Sequence, residues 1–134
     1  MDTVANMLTC VRNAQAAKRT SVSVPYSRLK HDIAKILERK GYVAAVEKRS
    51  RKIKKNGVPR FYLEMGLKYA DSVPVIAGCK KISKPGQRVY VSAAGIKRVK
   101  QGRGLGIVST SKGVMSEYDA KKQNIGGEMI CEIW

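Results

Sequence analysis

The spacing of apolar residues changes along this chain, and the change limits what it can fold into. Near the start, apolar residues recur at intervals of three and four, which predicts an amphipathic helix with Asp2 as its cap. These residues are Val4, Met7, Leu8 and Val11. The helical spacing ends near residues 70–74, and the sequence beyond consists mostly of short runs typical of strands. A helix-containing segment is therefore followed by a mainly β segment.

The first segment contains a second helix and three strands. Ser27 is placed to cap the helix, Gly41 to end it, and its apolar stripe predicts a buried face. The stripe consists of Leu29, Ile33, Ile36 and Leu37. The predicted strands are Ser21 to Pro25, Tyr42 to Val46 and Phe61 to Leu67, the last with Phe61, Leu63 and Met65 on one face. Asn56-Gly57 is a hairpin signal, so we predict an α-β-α-β-β lobe over residues 1–70.

The second segment, residues 71–134, predicts a mainly β lobe with short helices. Its expected strands are Val75 to Ala77, Arg88 to Val91, Leu105 to Ser109 and Met129 to Trp134. One short helix is predicted near Ala93 to Val99, and a second from Ser116, which has capping-box spacing with Asp119. The predicted fold class is α+β, with two small lobes.

The charge balance predicts the class of partner. The chain has 134 residues, 27 Lys and Arg, 10 Asp and Glu, and a net charge of +17. An apolar content of 43% is ordinary for a folded chain, so the charge does not indicate a disordered polymer. So much positive charge raises self-repulsion, which a polyanion such as nucleic acid relieves.

The basic residues are concentrated in two places. No acid occurs from Ser72 to Ser116, a stretch with nine Lys and Arg that include Lys97 and Arg98, and this predicts a surface that holds a phosphate backbone. A second concentration runs from Lys48 to Arg60. It is consistent either with a solvated hairpin tip or with general attraction to phosphates.

Other function classes lack the residues they need. No run approaches the ~18 apolar residues of a membrane span, and Met1 to Ala17 is interrupted by charge, so neither membrane association nor export is expected. Three widely spaced cysteines and a single histidine, His31, argue against a disulfide framework, a zinc site and hydrolytic chemistry. Gly102, Gly104 and Gly106 do not have dinucleotide-binding spacing. We predict no enzyme activity, cofactor, metal or small-molecule substrate.

Three adjacent hydroxyls lie at the end of the predicted strand Leu105 to Ser109. Ser109, Thr110 and Ser111 precede Lys112 and Gly113. Such hydroxyls either close a turn by bonding to the backbone or bond to a 2′-hydroxyl or base edge in the shallow minor groove of an RNA helix. The pattern alone leaves both interpretations open.

This segment and other short motifs, in order, resemble the family of bacterial small-subunit ribosomal protein number eight. The resemblance runs from end to end. It rests on Met7-Leu8-Thr9, Arg12-Asn13-Ala14, Val24-Pro25, Ser27, Leu29-Lys30, Ile33-Ala34, Lys84-Pro85-Gly86, Arg88, Tyr90, Ser109 to Gly113, Gly126-Gly127-Glu128 and Cys131.

The resemblance implies a cytoplasmic structural protein of the small ribosomal subunit. Such a protein is a primary binder of the central domain of small-subunit (16S) rRNA that helps assemble the platform, beside small-subunit proteins two, five and twelve. The implied RNA-binding residues are Ser109, Thr110, Ser111, Lys112, Gly113, Gly126, Gly127 and Glu128, with Lys30, Arg88 and Tyr90 less firmly matched.

Two of these residues leave alternatives open. An acid such as Glu128 would accept from a base amine or orient a neighbouring loop, and we favour orientation. Tyr90 would stack on a base or pack within its lobe.

The sequence leaves three alternative functions open. One is repression of the protein's own operon through its messenger, and another is general binding or compaction of nucleic acid by a basic protein. The third is an enzyme acting on RNA, for which no acid–base set is visible.

Overall fold

The computed structural model describes residues 3–51 and 57–134, and contacts within the chain divide it into two compact units. One unit is Met7–Val75. The other is Ile76–Trp134 together with the residues up to Asn6. Asp2 and Asn56 lie outside the described residues, so the helix cap and the hairpin turn predicted there stay predictions.

The unit Met7–Val75 contains the helices and strands of an α-β-α-β-β arrangement. Its elements are α1 (Thr3–Ala16, whose first residues belong to the other unit), β1 (Ser21–Pro25), α2 (Arg28–Arg39), β2 (Val43–Arg51) and β3 (Arg60–Leu67). The strands form an antiparallel sheet in the order β1-β3-β2. Ser27 caps α2 as predicted, because its Oγ accepts from the Lys30 backbone N–H at 3.2 Å. Gly41 follows the helix with a φ of +84°.

The core of this unit is formed by apolar residues from both helices and the sheet. Its most deeply buried members are Met7, Ile33, Leu37, Val43, Leu63 and Met65. Two predicted core positions differ: Leu29 is 37% exposed and Phe61 is 45% exposed. Both lie near the end of a predicted apolar stripe, where the pattern continues beyond the packed core.

The unit ends in a two-stranded hairpin, β4 (Tyr69–Ala70) and β5 (Val73–Pro74). Asp71 and Ser72 form its turn, with φ values of +51° and +68°, although neither residue is glycine. The strand predicted at Val75 to Ala77 is wrong, and the next strand begins at Cys79. The Ala77 and Gly78 backbone N–H groups both donate to the Trp134 carbonyl oxygen, so this segment forms its hydrogen bonds without the regular pairing of a β-strand.

Most of the second unit is an antiparallel sheet in which short strands flank one longer strand. Its strands are β6 (Cys79–Lys81), β7 (Tyr90–Val91), β8 (Leu105–Thr110), β9 (Gly113–Ser116) and β10 (Gly127–Ile133). The order is β6-β10-β8-β9, and β7 also pairs with β10. The strands predicted near β7, β8 and β10 are therefore present, and β6 and β9 were missed. Together the two units confirm the predicted α+β class.

The helix predicted at Ala93 to Val99 is replaced by two short 3₁₀ turns, Ala93–Gly95 and Val99–Gly102. Ile96 and Val99 are both buried in the hydrophobic core of the unit, and their spacing of three imitates a helical pattern. The other predicted helix is present as α3 (Glu117–Lys122). Its predicted cap is confirmed, since the Ser116 Oγ accepts from the Asp119 N–H at 3.1 Å.

Candidate nucleic-acid interface

The turn between β8 and β9 presents the predicted hydroxyl segment. Thr110 pairs with Gly113, which leaves Ser111 and Lys112 as the two turn residues. The Thr110 Oγ1 donates to the Gly113 carbonyl oxygen at 2.7 Å and accepts from the Lys112 N–H at 3.1 Å. Thr110 therefore closes the turn, whereas Ser111 and Lys112 are exposed at its tip. Gly113 has a φ of +112°, and a β-carbon there would meet open space.

Gly126 and Gly127 allow close packing between strands. A β-carbon on Gly127 would overlap the carbonyl oxygen of Ser109, and one on Gly126 would overlap that of Val91. Both overlaps involve backbone atoms, which cannot rotate away as a side chain can. These two glycines thus have a structural reason to lack side chains that is independent of RNA.

Three of the predicted site residues lie in one row across the sheet. Glu128 of β10 pairs with Tyr90 of β7 on one side and with Ser109 of β8 on the other. Directly opposed residues in antiparallel strands project from the same face, so their side chains share one surface. Tyr90 is 71% exposed there. The structure thus places Tyr90 outside the core of its unit.

Glu128 accepts hydrogen bonds that tie this row to the preceding segment. The buried Ser83 Oγ donates to Glu128 and accepts from the Val89 N–H at 3.2 Å. Arg88 Nη1 lies 3.0 Å from Glu128 Oε2. The hydrogen bond from Ser83 lowers the pKa of Glu128, Arg88 lowers it further, and burial acts in the opposite direction. Glu128 thereby fixes the position of the Arg88 guanidinium, which stays half exposed.

The remaining predicted residues lie elsewhere. Lys97 and Arg98 are exposed on the link between the two 3₁₀ turns, flanked by the buried Ile96 and Val99. Lys30 lies on α2 in the other unit and is only 6% exposed, and burial lowers the pKa of its ammonium group. The structure does not bring Lys30 to an exposed surface.

Sequence patterns did not indicate two buried polar residues that shape this region. Glu117 is buried, and its Oε2 accepts from the Gly106 N–H of β8 at 2.7 Å. Ser83 makes the contacts to Glu128 and Val89 described above. Both interactions join residues that are distant in sequence, so no local spacing could reveal them.

The described residues also limit other kinds of site. Across residues 3–51 and 57–134, no three His, Cys, Asp or Glu side chains are grouped closely enough to bind a metal ion. In the same part of the chain, no helix has the length and apolar character needed to cross a membrane. Cys131 is buried but Cys10 is exposed, and neither forms a disulfide.

Comparison with known proteins identifies the family. The family model described as Ribosomal protein S8 matches residues 2–134. The chain belongs to the ribosomal protein S8 family. This confirms the resemblance drawn from the ordered motifs, which ran over the same length.

Individual relatives in this family match almost the whole chain. The small ribosomal subunit protein uS8 of Nitratidesulfovibrio vulgaris is 44% identical over 133 residues, covering 99% of this chain and 98% of the relative. The protein of the same name from Alcanivorax borkumensis is 44% identical over 132 residues, covering 98% and 96%. That of Dictyoglomus turgidum is 42% identical over 133 residues, covering 99% and 97%.

Proposed function

We propose that this chain is a structural constituent of the small ribosomal subunit and binds the central domain of 16S rRNA. Its family and the names of its relatives support the coarser part of this proposal. The net charge of +17 supports binding to a polyanion. In this proposal residues 71–134 form the main RNA-binding lobe, residues 1–70 form the second lobe, and the role is structural instead of enzymatic.

One observation carries the RNA-binding part of the proposal: the exposed tip of the β8–β9 hairpin is held in a fixed shape. Thr110 uses its own hydroxyl to close the turn, so the Ser111 hydroxyl and the Lys112 ammonium project beyond it. A hydroxyl can donate to and accept from a 2′-hydroxyl or base edge in the RNA minor groove. A fixed turn presents that hydroxyl with less loss of conformational freedom on binding.

The row of Tyr90, Glu128 and Ser109 provides the second contact surface. We assign Glu128 the orienting role, because it holds Arg88 through a direct ion pair and holds the adjoining backbone through Ser83. Arg88 would then bind a phosphate, and the exposed Tyr90 ring would stack on a base. Gly126 and Gly127 contribute by keeping the three strands close enough for this row to form.

Lys97 and Arg98 extend the positive surface of the same unit. Their exposed side chains would bind the phosphate backbone, a contact that does not distinguish one RNA sequence from another. Lys30, buried on α2, would act on RNA only by supporting its own lobe. Assembly into the platform beside small-subunit proteins two, five and twelve, in the cytoplasm, completes the proposal.

Crosslinking in living cells followed by sequencing of the bound RNA tests this function. We expect one dominant site in the central domain of small-subunit rRNA. A dominant site in the messenger of the protein's own operon would favour the repressor alternative. Crosslinks spread over genomic DNA would overturn the proposal in favour of a general basic binder. A Ser111→Ala, Arg88→Ala double variant is the control, and its rRNA peak should weaken.

A further inference from the structure

The N-terminal unit contains a group of three aromatic rings and a lysine that the proposed function does not use. We call Tyr26, His31, Phe61 and Lys48 the aromatic–lysine cluster. The Tyr26 ring lies 5.7 Å from the His31 ring and 6.4 Å from the Phe61 ring, both in edge-to-face geometry. Lys48 Nζ is 4.2 Å from the centre of the Tyr26 ring and 4.5 Å from that of Phe61.

The sheet continues past the packed core at this point. On β3, Leu63 and Met65 are fully buried, and Phe61 occupies the next outward position on the same face but is 45% exposed. Lys48 is paired opposite Leu63 and therefore points to this face as well. The Tyr26 N–H donates to the Phe61 carbonyl oxygen at 3.0 Å, which fixes the two aromatic residues side by side.

The charge around the cluster favours an anionic ligand. The carboxylates of Glu47 and Glu64, on the two strands that carry Lys48 and Phe61, both bind Arg49, at 2.6 and 2.7 Å. Both residues alternate with the cluster positions, so they project from the opposite face of the sheet. The exposed Lys48 places its positive charge over the Tyr26 and Phe61 rings, and its flexible side chain must swing aside for a base to stack on those faces.

We propose that the aromatic–lysine cluster stacks an unpaired RNA base on its exposed ring surface while Lys48 binds the adjoining phosphate. Aromatic rings beside a cation are the common solution for holding single-stranded nucleic acid, because every base has a π face. The inference rests on the chain being an RNA-binding protein, but it concerns a different unit, and a different form of RNA, from the proposed β8–β9 contact. It assigns the N-terminal unit a site for flexible or bulged nucleotides.

Binding of the full-length chain to a 12-residue oligouridylate tests the site, because this RNA has unpaired bases and lacks a helix. We expect Phe61→Leu to weaken binding roughly tenfold and Phe61→Tyr to preserve it, since only the latter retains a ring. Tyr62→Leu is the matched control. Tyr62 is the next residue on β3 and faces the other side of the sheet, where its ring centre lies 5.9 Å from Arg51 Cζ. Its replacement should therefore leave the affinity within about twofold of the parent's.

Lys48→Met separates charge from packing because it retains most of the aliphatic stem. The slope of log affinity against log salt should fall by the contribution of about one phosphate contact. Oligouridylate carrying 5-iodouridine should also crosslink, on irradiation, to the peptides that contain Tyr26 or Phe61. Equal affinities of Phe61→Leu and Tyr62→Leu, or crosslinks confined to other peptides, would overturn the site.

The outcome is distinguishable from failure of the proposed function. A parent chain that shows no preference for central-domain rRNA over an unrelated duplex would contradict the proposed function, whereas the comparison of variants on oligouridylate would still measure the cluster. Thermal unfolding of each variant shows whether it is folded at the assay temperature. If Phe61→Leu is unfolded there, Phe61→Met with the same Tyr62→Leu control provides the comparison.

Discussion

The two units differ in how they use charge. Met7–Val75 has sixteen Lys and Arg against five Asp and Glu, and Ile76–Trp134 has eleven against four. In the first unit, Asp32, Glu47 and Glu64 form surface ion pairs with arginine. Glu38 of the first unit joins α2 to β2 by accepting from the Val46 N–H at 2.7 Å. In the second unit both Glu117 and Glu128 accept hydrogen bonds that join separate segments. The difference between the units is thus one of proportion.

This difference suggests that the amount of positive charge and the ability to discriminate between RNAs are separate properties. Exposed ion pairs contribute little to stability and leave the surface adaptable. Carboxylates that accept from a buried N–H or a buried hydroxyl fix a geometry, because leaving those donors unsatisfied is costly. We therefore expect the more highly charged unit to bind RNA broadly and the unit with the internal hydrogen bonds to discriminate.

The largest expected effect comes from crowding the centre of the second unit. Gly127→Ala should lower the free energy of unfolding by about 3 kcal/mol or more, because its β-carbon overlaps the backbone of Ser109. Gly113→Ala is the matched control at the hairpin tip, where only the positive φ is unfavourable, and it should cost about 1 kcal/mol. Chemical denaturation measures both. Equal losses would show that close strand packing is not what distinguishes this unit.

A smaller effect is expected from removing one acid in each unit. Glu117→Ala leaves the buried Gly106 N–H without its acceptor and should cost about 1–3 kcal/mol. Glu47→Ala removes an exposed partner of Arg49 and should change stability by no more than about 0.5 kcal/mol. Denaturation of the two variants under one condition makes the comparison. A Glu47 variant as unstable as the Glu117 variant would contradict the distinction drawn between the units.

The pKa of Glu128 predicts how one of these contacts depends on pH. A carboxylate whose pKa is lowered by folding stabilises the native state above its unfolded pKa, about 4.3 for Glu, and loses that contribution as the pH falls through the lowered value. The difference in unfolding free energy between the parent and Glu128→Gln should thus stay constant above about pH 5 and shrink as the pH falls below it. Ser83→Ala, which removes the largest cause, should reduce this pH dependence. A difference that is constant with pH would show that Glu128 is not stabilised in its ionised form.

The smallest effect on stability, close to zero, is expected at Lys97 and Arg98. Alanine at both exposed positions should leave unfolding within about 0.5 kcal/mol but reduce the slope of log affinity against log salt by about two. Lys121 and Lys122, also exposed, provide a control double variant on α3 with the same charge loss. If both doubles reduce the slope equally, Lys97 and Arg98 act through overall charge and not through contact with the backbone.

Local patterns in the sequence correctly indicated the elements whose stability is local. The helix beginning after Ser27 and the short helix after Ser116 both have their caps within three residues, so spacing alone predicted them. The apolar run at Leu105 also predicted β8. In each case the residues that define the element are neighbours in the chain.

The errors occur where distant pairing decides the structure. The strand predicted at Val75 is absent because the backbone at Ala77 bonds to Trp134, and β6 forms two residues later against β10. The helix predicted after Ser92 is lost because Ile96 and Val99 pack into a core built from other segments. The bond from Ser83 to Glu128 spans 45 residues, so no motif could indicate it.

For the predicted site residues as well, local features were predictable from the sequence and contacts made by distant pairing were not. The sequence indicated Ser109 to Gly113 as a candidate site but missed β9, and it left open whether the hydroxyls close a turn or face a ligand. The structure separates them, with Thr110 bonded inside the turn and Ser111 exposed. The sequence could not show that Tyr90 shares a row with Glu128, because that proximity comes from pairing between β7 and β10.

The most direct test of the account compares Ser111→Ala with Lys112→Ala on two RNAs at two salt concentrations. If the Ser111 hydroxyl bonds to a specific group in the minor groove, Ser111→Ala should weaken binding to central-domain rRNA by about 1–3 kcal/mol, because that group is left unsatisfied. Binding to an unrelated duplex should barely change. Lys112→Ala should weaken both RNAs similarly and lower the salt slope by about one. Thermal unfolding must show that both variants are folded. Equal weakening of both RNAs by Ser111→Ala would contradict the claim that this turn discriminates between RNAs.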